Sequence, residues 1–470
     1  MGILEGLKPA RVMHYFEEIC SIPHGSGNTD LISDYCVNVA KSLRLEVSKD
    51  KHNNVIIRKP ASAGYEGHST VILQGHLDMV CEKDEDCQID FEKDGLCLKV
   101  DGDFVYADGT TLGGDDGIAV AMVLAILEDN TLAHPPIEAL FTTDEETGMY
   151  GAEGLDASVL FGKTLINIDS EEEGILTAGC AGGARVDIKL PLKKGHTDMP
   201  CYRVTVGGLK GGHSGVEIDK GRLNSNITMG RFLNSLPFNY IIGDIRGGLK
   251  DNAIPRVTEA VIFCNGEIHG AANQFVKANA VATDPDLSIS VESISHDVCF
   301  DEASSKIITA FLCEVPNGIQ TMSADIEGLV QTSLNMGVLK VENDTLHMTF
   351  AARSSVNAEK YELLDRLEKL TLKFGGVYSS HAHYPAWEYR KFSPLRDTMA
   401  AVYEKMYGIA PKIDVIHAGL ECGLFSDKIK GLDAVSFGPN LYDIHTSREK
   451  MSISSVERTY SYLLEVLAAL

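Results

Sequence analysis

Short apolar runs alternate with helical spacings along the first part of the chain. The runs at 54–58, 70–73, 137–142 and 164–168 are rich in Val, Ile and Leu, which predicts short buried strands. An apolar segment over 118–128 lies between two of them and predicts a helix. Near the start, Val12, Tyr15, Phe16 and Ile19 share one helical face, as in an amphipathic helix. Strands alternating with helices predict an α/β layer whose sheet is largely parallel and covered on both faces.

Around 187–200 the texture changes to the turn-rich, polar stretch Leu190-Pro191-Leu192-Lys193-Lys194-Gly195-His196-Thr197-Asp198-Met199-Pro200, where a domain boundary is expected. Beyond it, strands are predicted at 202–207, 254–264, 320–327 and 346–353, and helices at 225–236 and 358–374. This is the pattern of a second, α+β domain with two similar sheet-and-helix halves. After Pro394 the first texture returns, with a helix over 395–407, a strand at 412–416, a loop over 417–423, an apolar run at 433–437, a polar loop carrying His445 and a final helix over 454–470. The expected organisation is therefore 1–186 and 393–470 as one domain, with 187–392 inserted.

Composition narrows the class. The 470 residues are 44% hydrophobic, enough for ordinary cores. A formal net charge of -25 repels phosphate backbones and anionic lipid heads, so neither nucleic acid nor membrane is an expected partner. No run approaches the ~18 apolar residues of a membrane span, and the N-terminus lacks the apolar core of a signal peptide. The eleven cysteines are odd in number and never spaced Cys-x-x-Cys, which fits a reducing cytoplasm and speaks against a thiolate zinc site.

The chemistry gathers where strands end. His76-Leu77-Asp78 closes the run Val71-Ile72-Leu73-Gln74-Gly75, and because side chains alternate with period two, His76 and Asp78 project to one side. The doublet Glu145-Glu146 follows a second run, and Asp169 follows a third. Asp115 sits in Thr110-Thr111-Leu112-Gly113-Gly114-Asp115-Asp116-Gly117, where paired glycines permit a tight path before a helix. Singly, each has an ordinary reading: a satisfied pair, a solvated face, a helix N-terminus, a strand-end turn or an exposed histidine. Together, His76, Asp115, Glu146, Asp169 and His445 are nitrogen and oxygen donors at the carboxyl ends of strands in one layer. That conjunction points to a metal-dependent hydrolase, in which a bridging carboxylate can hold two cations about 3.5–4 Å apart.

Six segments carry a resemblance: 75–80 (Gly-His-Leu-Asp-Met-Val), 110–117, 143–148 (Thr-Asp-Glu-Glu-Thr-Gly), 167–174 (Asn-Ile-Asp-Ser-Glu-Glu-Glu-Gly), 211–215 (Gly-Gly-His-Ser-Gly) and 416–425 (Ile-His-Ala-Gly-Leu-Glu-Cys-Gly-Leu-Phe). In order and over nearly the whole chain, they resemble the aminoacyl-histidine dipeptidases. That family, also called peptidase D or cytosol nonspecific dipeptidase, belongs to the co-catalytic di-zinc peptidases with carnosinases and tripeptidase T. The resemblance implies an α/β catalytic domain, with a mixed, mostly parallel sheet between helices, and an inserted α+β lid that also forms a homodimer. It implies two Zn2+ per subunit, replaceable by Mn2+ or Co2+. Asp115 would bridge them, with His76 and Asp169 on one zinc and Glu146 and His445 on the other.

By the same resemblance Asp78 orients His76, and Glu145 is the general base. His213 reaches the scissile carbonyl, Arg353 holds the substrate carboxylate, Asn252 adds a polar contact and Glu421 receives the substrate ammonium. The implied activity is hydrolysis of unblocked dipeptides, Xaa-His and β-alanyl-histidine among them. Two departures stand out: many relatives have Asp-Asn at Asp115-Asp116 and His-Ser-Pro at His445-Thr446-Ser447, where proline would stiffen the loop. The rival readings are an N-acyl amino acid deacylase or carbamoylase on the same scaffold, and a non-catalytic binding protein that retains the fold.

Overall fold

The computed structural model describes residues 2–470, and the chain divides into two compact units. One comprises the residues up to Gly179 together with Tyr389–Val415 and Leu420–Leu470; the other comprises Cys180–Glu388 and Ile416–Gly419. The chain thus passes from one unit to the other before the expected 186/187. Gly182–Pro191 is one continuous strand of the second unit's sheet, so the turn-rich stretch begins inside that unit.

The first unit is built on an eight-stranded sheet in the order Glu46–Lys49, Val55–Lys59, Ile137–Thr142, Val71–His76, Thr164–Asn167, Asp433–Ser436, Ile175–Cys180, Lys412–Ile416. Ile137–Thr142, Val71–His76, Thr164–Asn167 and Asp433–Ser436 run parallel and form its centre. The strands at the Glu46–Lys49 edge are antiparallel, so the sheet is mixed with its parallel part in the middle. All six residues of Val71–His76 and all six of Ile137–Thr142 are buried, as expected of strands covered on both faces. The parallel register sets His76 opposite Thr142, so the ends that carry the predicted chemistry come out together.

Helix Gly114–Glu128 crosses between those two strands and is buried from Gly114 to Leu127. Its apolar residues surround it instead of marking one stripe, and they join the same core as Val12, Phe16 and Ile19 of helix Ala10–Cys20. A separate four-stranded sheet pairs Leu441–Tyr442, Lys450–Ser452, Phe104–Ala107 and Leu98–Asp101 in that order. His445 lies in the hairpin loop between the first two.

The second unit holds a nine-stranded antiparallel sheet with its own core, including Val186, Phe232, Ile262, Phe311 and Phe350. The strands join into one sheet where Gly247 pairs with Leu339, with a single core beneath it instead of the two halves expected. The strand expected at 254–264 is broken at Pro255, which has no N–H to donate: Ala253–Ile254 pairs with Gly212–His213, and Thr258–Cys264 enters the main sheet. The strand expected at 320–327 ends at Met322, and a longer one follows as Val330–Glu342. In the first unit, the loop expected over 417–423 gives way at Glu421 to helix Glu421–Lys428.

Candidate metal centre

Asp115 stands between two histidines. Its Oδ1 lies 3.0 Å from His76 Nε2 and its Oδ2 lies 3.2 Å from His445 Nε2. Asp169 Oδ1 lies 3.8 Å from His76 Nε2, and Glu146 Oε1 lies 3.0 Å from His445 Nε2. One carboxylate is therefore flanked by two His-carboxylate sets. Donor atoms of Asp115, Glu146 and His445 lie within 4.8 Å of one another, as do those of His76, Glu145 and Glu146, and those of His76, Asp116 and Asp169.

Main-chain and carboxylate contacts hold these groups. The Nδ1–H of His76 donates to the Asp78 carbonyl at 2.9 Å, closer than the Asp78 carboxylate at 3.6 Å, which turns Nε2 towards Asp115. The Asp78 carboxylate turns instead to the doublet: Oδ1 accepts the Glu145 amide at 3.0 Å and Oδ2 the Glu146 amide at 3.3 Å. Ser26 donates a third bond to Asp78 Oδ2 at 2.8 Å. The Asp115–Asp116 peptide is cis, and Asp116 accepts the His76 amide at 3.2 Å. In the hairpin, His445 has φ 59°, and side-chain hydrogen bonds tie the residues that follow it: Thr446 Oγ1 to the Asp443 carbonyl at 2.7 Å, and Ser447 Oγ to Asp84 Oδ1.

The charge balance calls for cations. Burial, reinforced by Asp116, Asp115 and Glu145, pushes Asp169 well above the usual carboxylate range. Burial, with help from Glu421, Glu146 and Asp115, pushes Glu145 up to about 8. Burial opposes charge on Asp115, but His445 and His76 outweigh it and hold Asp115 low. Asp115 and Glu146 in turn raise His445 to about 10. Two imidazoles face a larger number of clustered carboxylates, and the donors are all nitrogen or oxygen, so the residues fit two divalent cations.

Glu421 lies deeper. It is 0% exposed, and its Oε2 accepts bonds from Gln74 Nε2 and Thr142 Oγ1, each at 2.6 Å. Its Oε1 finds no partner among the described residues, and burial pushes the group up to about 7.

The other predicted residues lie in the second unit. His213 Nδ1 accepts the amides of Gly215 and Val216 at 3.2 and 3.3 Å, which leaves Nε2 as a donor. Burial and the Arg353 charge lower its pKa, which favours the neutral ring. Arg353 lies on strand Thr345–Ser354 between Ser333 and Gly183 of neighbouring strands. Its Nη1 donates to the Tyr384 hydroxyl at 3.0 Å, while its buried Nε has no partner among the described residues. Asn252 is tied to the His213 turn through its main chain, its carbonyl accepting the Ser214 amide at 2.8 Å.

The model of Peptidase family M20/M25/M40 matches residues 72–469. This chain belongs to that family. Among M20 peptidases, the cytosol non-specific dipeptidase of Escherichia coli (strain K12) is 36% identical over 481 residues, covering 99% of each chain. The crystal structure of aminoacylhistidine dipeptidase from Vibrio alginolyticus superposes with a TM-score of 0.95 at 36% identity, over 99% of this chain and 98% of that one. Aminopeptidase PepT from Bacillus cereus shares the fold alone, with a TM-score of 0.60 at 15% identity over 98% and 99% of the two chains.

Several groups that touch the predicted residues or their neighbours in this M20 peptidase are not legible in its sequence. Gln74 and Thr142 read as ordinary strand residues, and only the parallel register brings both to Glu421. His417, which bonds Ser333 Oγ at 2.7 Å beside Arg353, stands in one of the six segments, where the resemblance gives it no role. Glu449 carries no motif, and its partners lie more than three hundred residues away.

Proposed function

We propose that this M20 peptidase is a dipeptidase of the cytoplasm that hydrolyses unblocked dipeptides, Xaa-His and β-alanyl-histidine among them. In this reading it holds two Zn2+ per subunit, replaceable by Mn2+ or Co2+, and is a homodimer through its second unit. The observation that carries the reading is Asp115 between His76 and His445, within a chain 36% identical over its full length to a dipeptidase.

His76 and Asp169 would hold one cation and Glu146 and His445 the other, with Asp115, which stands between the two histidines, available to both. When bound, the cations polarise the scissile carbonyl and make water a nucleophile at neutral pH. Glu145 takes the proton from the attacking water and delivers it to the leaving amine. Asp78 fixes the backbone of the Glu145-Glu146 doublet, so acid–base chemistry and ligation fall to neighbouring residues facing different ways. His213, neutral and with Nε2 free to donate, stabilises the oxyanion. Arg353 takes the substrate carboxylate, Asn252 adds a polar contact, and Glu421 offers its unpartnered oxygen to the ammonium.

A panel of free dipeptides, their N-acetylated forms and a tripeptide, assayed with zinc-loaded protein and again after chelation, tests this. Metal-dependent cleavage confined to free dipeptides is expected. Cleavage of only the acetylated forms would move the protein to the deacylases, and no cleavage at all would make it a binding protein.

A further inference from the structure

Glu449 is 3% exposed, yet it is a carboxylate outside every motif of the site. Its two oxygens accept three consecutive backbone amides: Oε2 those of Leu112 at 2.7 Å and Gly113 at 3.1 Å, Oε1 that of Gly114 at 2.8 Å. The residue that follows Gly114 is Asp115. The amide of Glu449 itself donates to the Thr446 carbonyl at 3.1 Å, which closes the hairpin loop that presents His445. The neighbouring strands explain why one residue reaches both loops. Lys450 pairs with Tyr106, so the loop that carries His445 enters, and the loop that carries Asp115 leaves, adjacent strands of the same small sheet.

The two loops meet at the metal centre, where His445 Nε2 lies 3.2 Å from Asp115 Oδ2. Gly113, at φ 67°, takes the left-handed region freely, whereas His445, at φ 59°, is a side-chain-bearing residue there and stays only where its surroundings hold it. The other ties on the hairpin, Thr446 to the Asp443 carbonyl within the loop and Ser447 to Asp84 outside it, are exposed, and neither reaches the Asp115 loop. Burying a carboxylate is costly unless its lone pairs are used, and here they are used on the backbone of the Asp115 loop.

We propose that Glu449 is a positioning residue that clamps the Asp115 loop to the His445 hairpin and so sets the geometry of the second cation site, formed by Asp115, Glu146 and His445. This inference rests on the dinuclear reading given above. Glu449 touches neither substrate nor cation and acts through the two ligands it aligns. The first site depends on it less, because His76 and Asp169 are held by the central sheet.

The test is stepwise zinc titration of metal-free protein against a chromophoric chelator, for the native protein, Glu449→Gln and Glu449→Asp, together with kcat, KM and the thermal midpoint of each metal-free form. Gln keeps the shape but turns a donor toward the amides, and Asp keeps the charge but falls one methylene short. Both variants are expected to weaken the second zinc about 10- to 100-fold, to weaken the first, which shares Asp115, clearly less, and to lose kcat more than they change KM. The metal-free midpoints should fall only modestly, for the backbone amides that lose a partner, and not in step with the zinc affinities. Unchanged second-site affinity in Glu449→Gln would overturn the clamp. Full rescue in Glu449→Asp would overturn it in favour of charge alone. Equal weakening of both sites in step with a lowered metal-free midpoint would reduce Glu449 to a fold-stabilising residue. A native protein that binds a single zinc would instead remove the dinuclear reading itself.

Discussion

Glu145 and Glu146 are chain neighbours with separate surroundings, and their shared tether is Asp78, which accepts both amides. Replacing Glu145 by Gln keeps that backbone arrangement while removing the only group assigned to proton transfer. kcat should fall at least ~10²-fold, with zinc content and KM near native, as steady-state kinetics and metal analysis will show; near-native turnover would sink the base assignment. A second residue-scale expectation concerns His417, which burial, with Arg353 adding to it, lowers from 6.5 to about 4. The folded chain therefore resists taking a proton that the unfolded chain accepts. Stability from the neutral ring is complete above 6.5 and is lost as pH falls towards about 4. Urea midpoints measured at about pH 7 and about pH 4.5 should drop further for the native protein than for His417→Gln. Equal drops would mean that His417 has no part in acid sensitivity.

Elements differ in how plainly the sequence announces them, and burial explains the difference. Val71–His76 and Ile137–Thr142 are legible because strands covered on both faces read as unbroken apolar runs, and the candidate ligands His76 and Glu146 are legible as polar residues at or just past their ends. Helix Gly114–Glu128 is legible for the same reason, although it shows no polar face. Val330–Glu342 is hidden because its buried polar residues break the alternation. Thr332 is satisfied by Ser354 and Glu359, Ser333 by His417, and Asn335 by the carbonyls of Asp251 and Ala253. The His445 hairpin is hidden because Leu441–Tyr442 is too short to show a period. The helix surrounded by core yields a prediction at this scale. Leu124→Ala should cost about 2–5 kcal/mol in urea unfolding, since every direction from a 0% exposed side chain is packed. A cost below about 1 kcal/mol would mean that the helix collapses onto the cavity without penalty.

Across the whole molecule, the two units have separate cores: Val12, Leu124 and Leu463 belong to one, Val186, Phe311 and Phe350 to the other. The ligand-type residues all lie in the first unit, while Trp387 lies in the second. Trp387 is the chain's single tryptophan and is 2% exposed within the second unit, paired with Cys180 near its boundary, so its fluorescence follows that unit and its edge. Cations bound among Asp115, Asp169, Glu146 and the histidines stabilise the folded first unit by mass action, and their removal also restores the repulsion among its buried carboxylates. Chelation should therefore lower the midpoint of thermal unfolding followed by far-ultraviolet circular dichroism, to which the first unit contributes, more than the midpoint followed by Trp387 fluorescence. Added zinc should close the gap between the two probes. If both midpoints fall together, the units unfold as one cooperative block, and the second unit's stability is coupled to a centre whose ligands it does not contain.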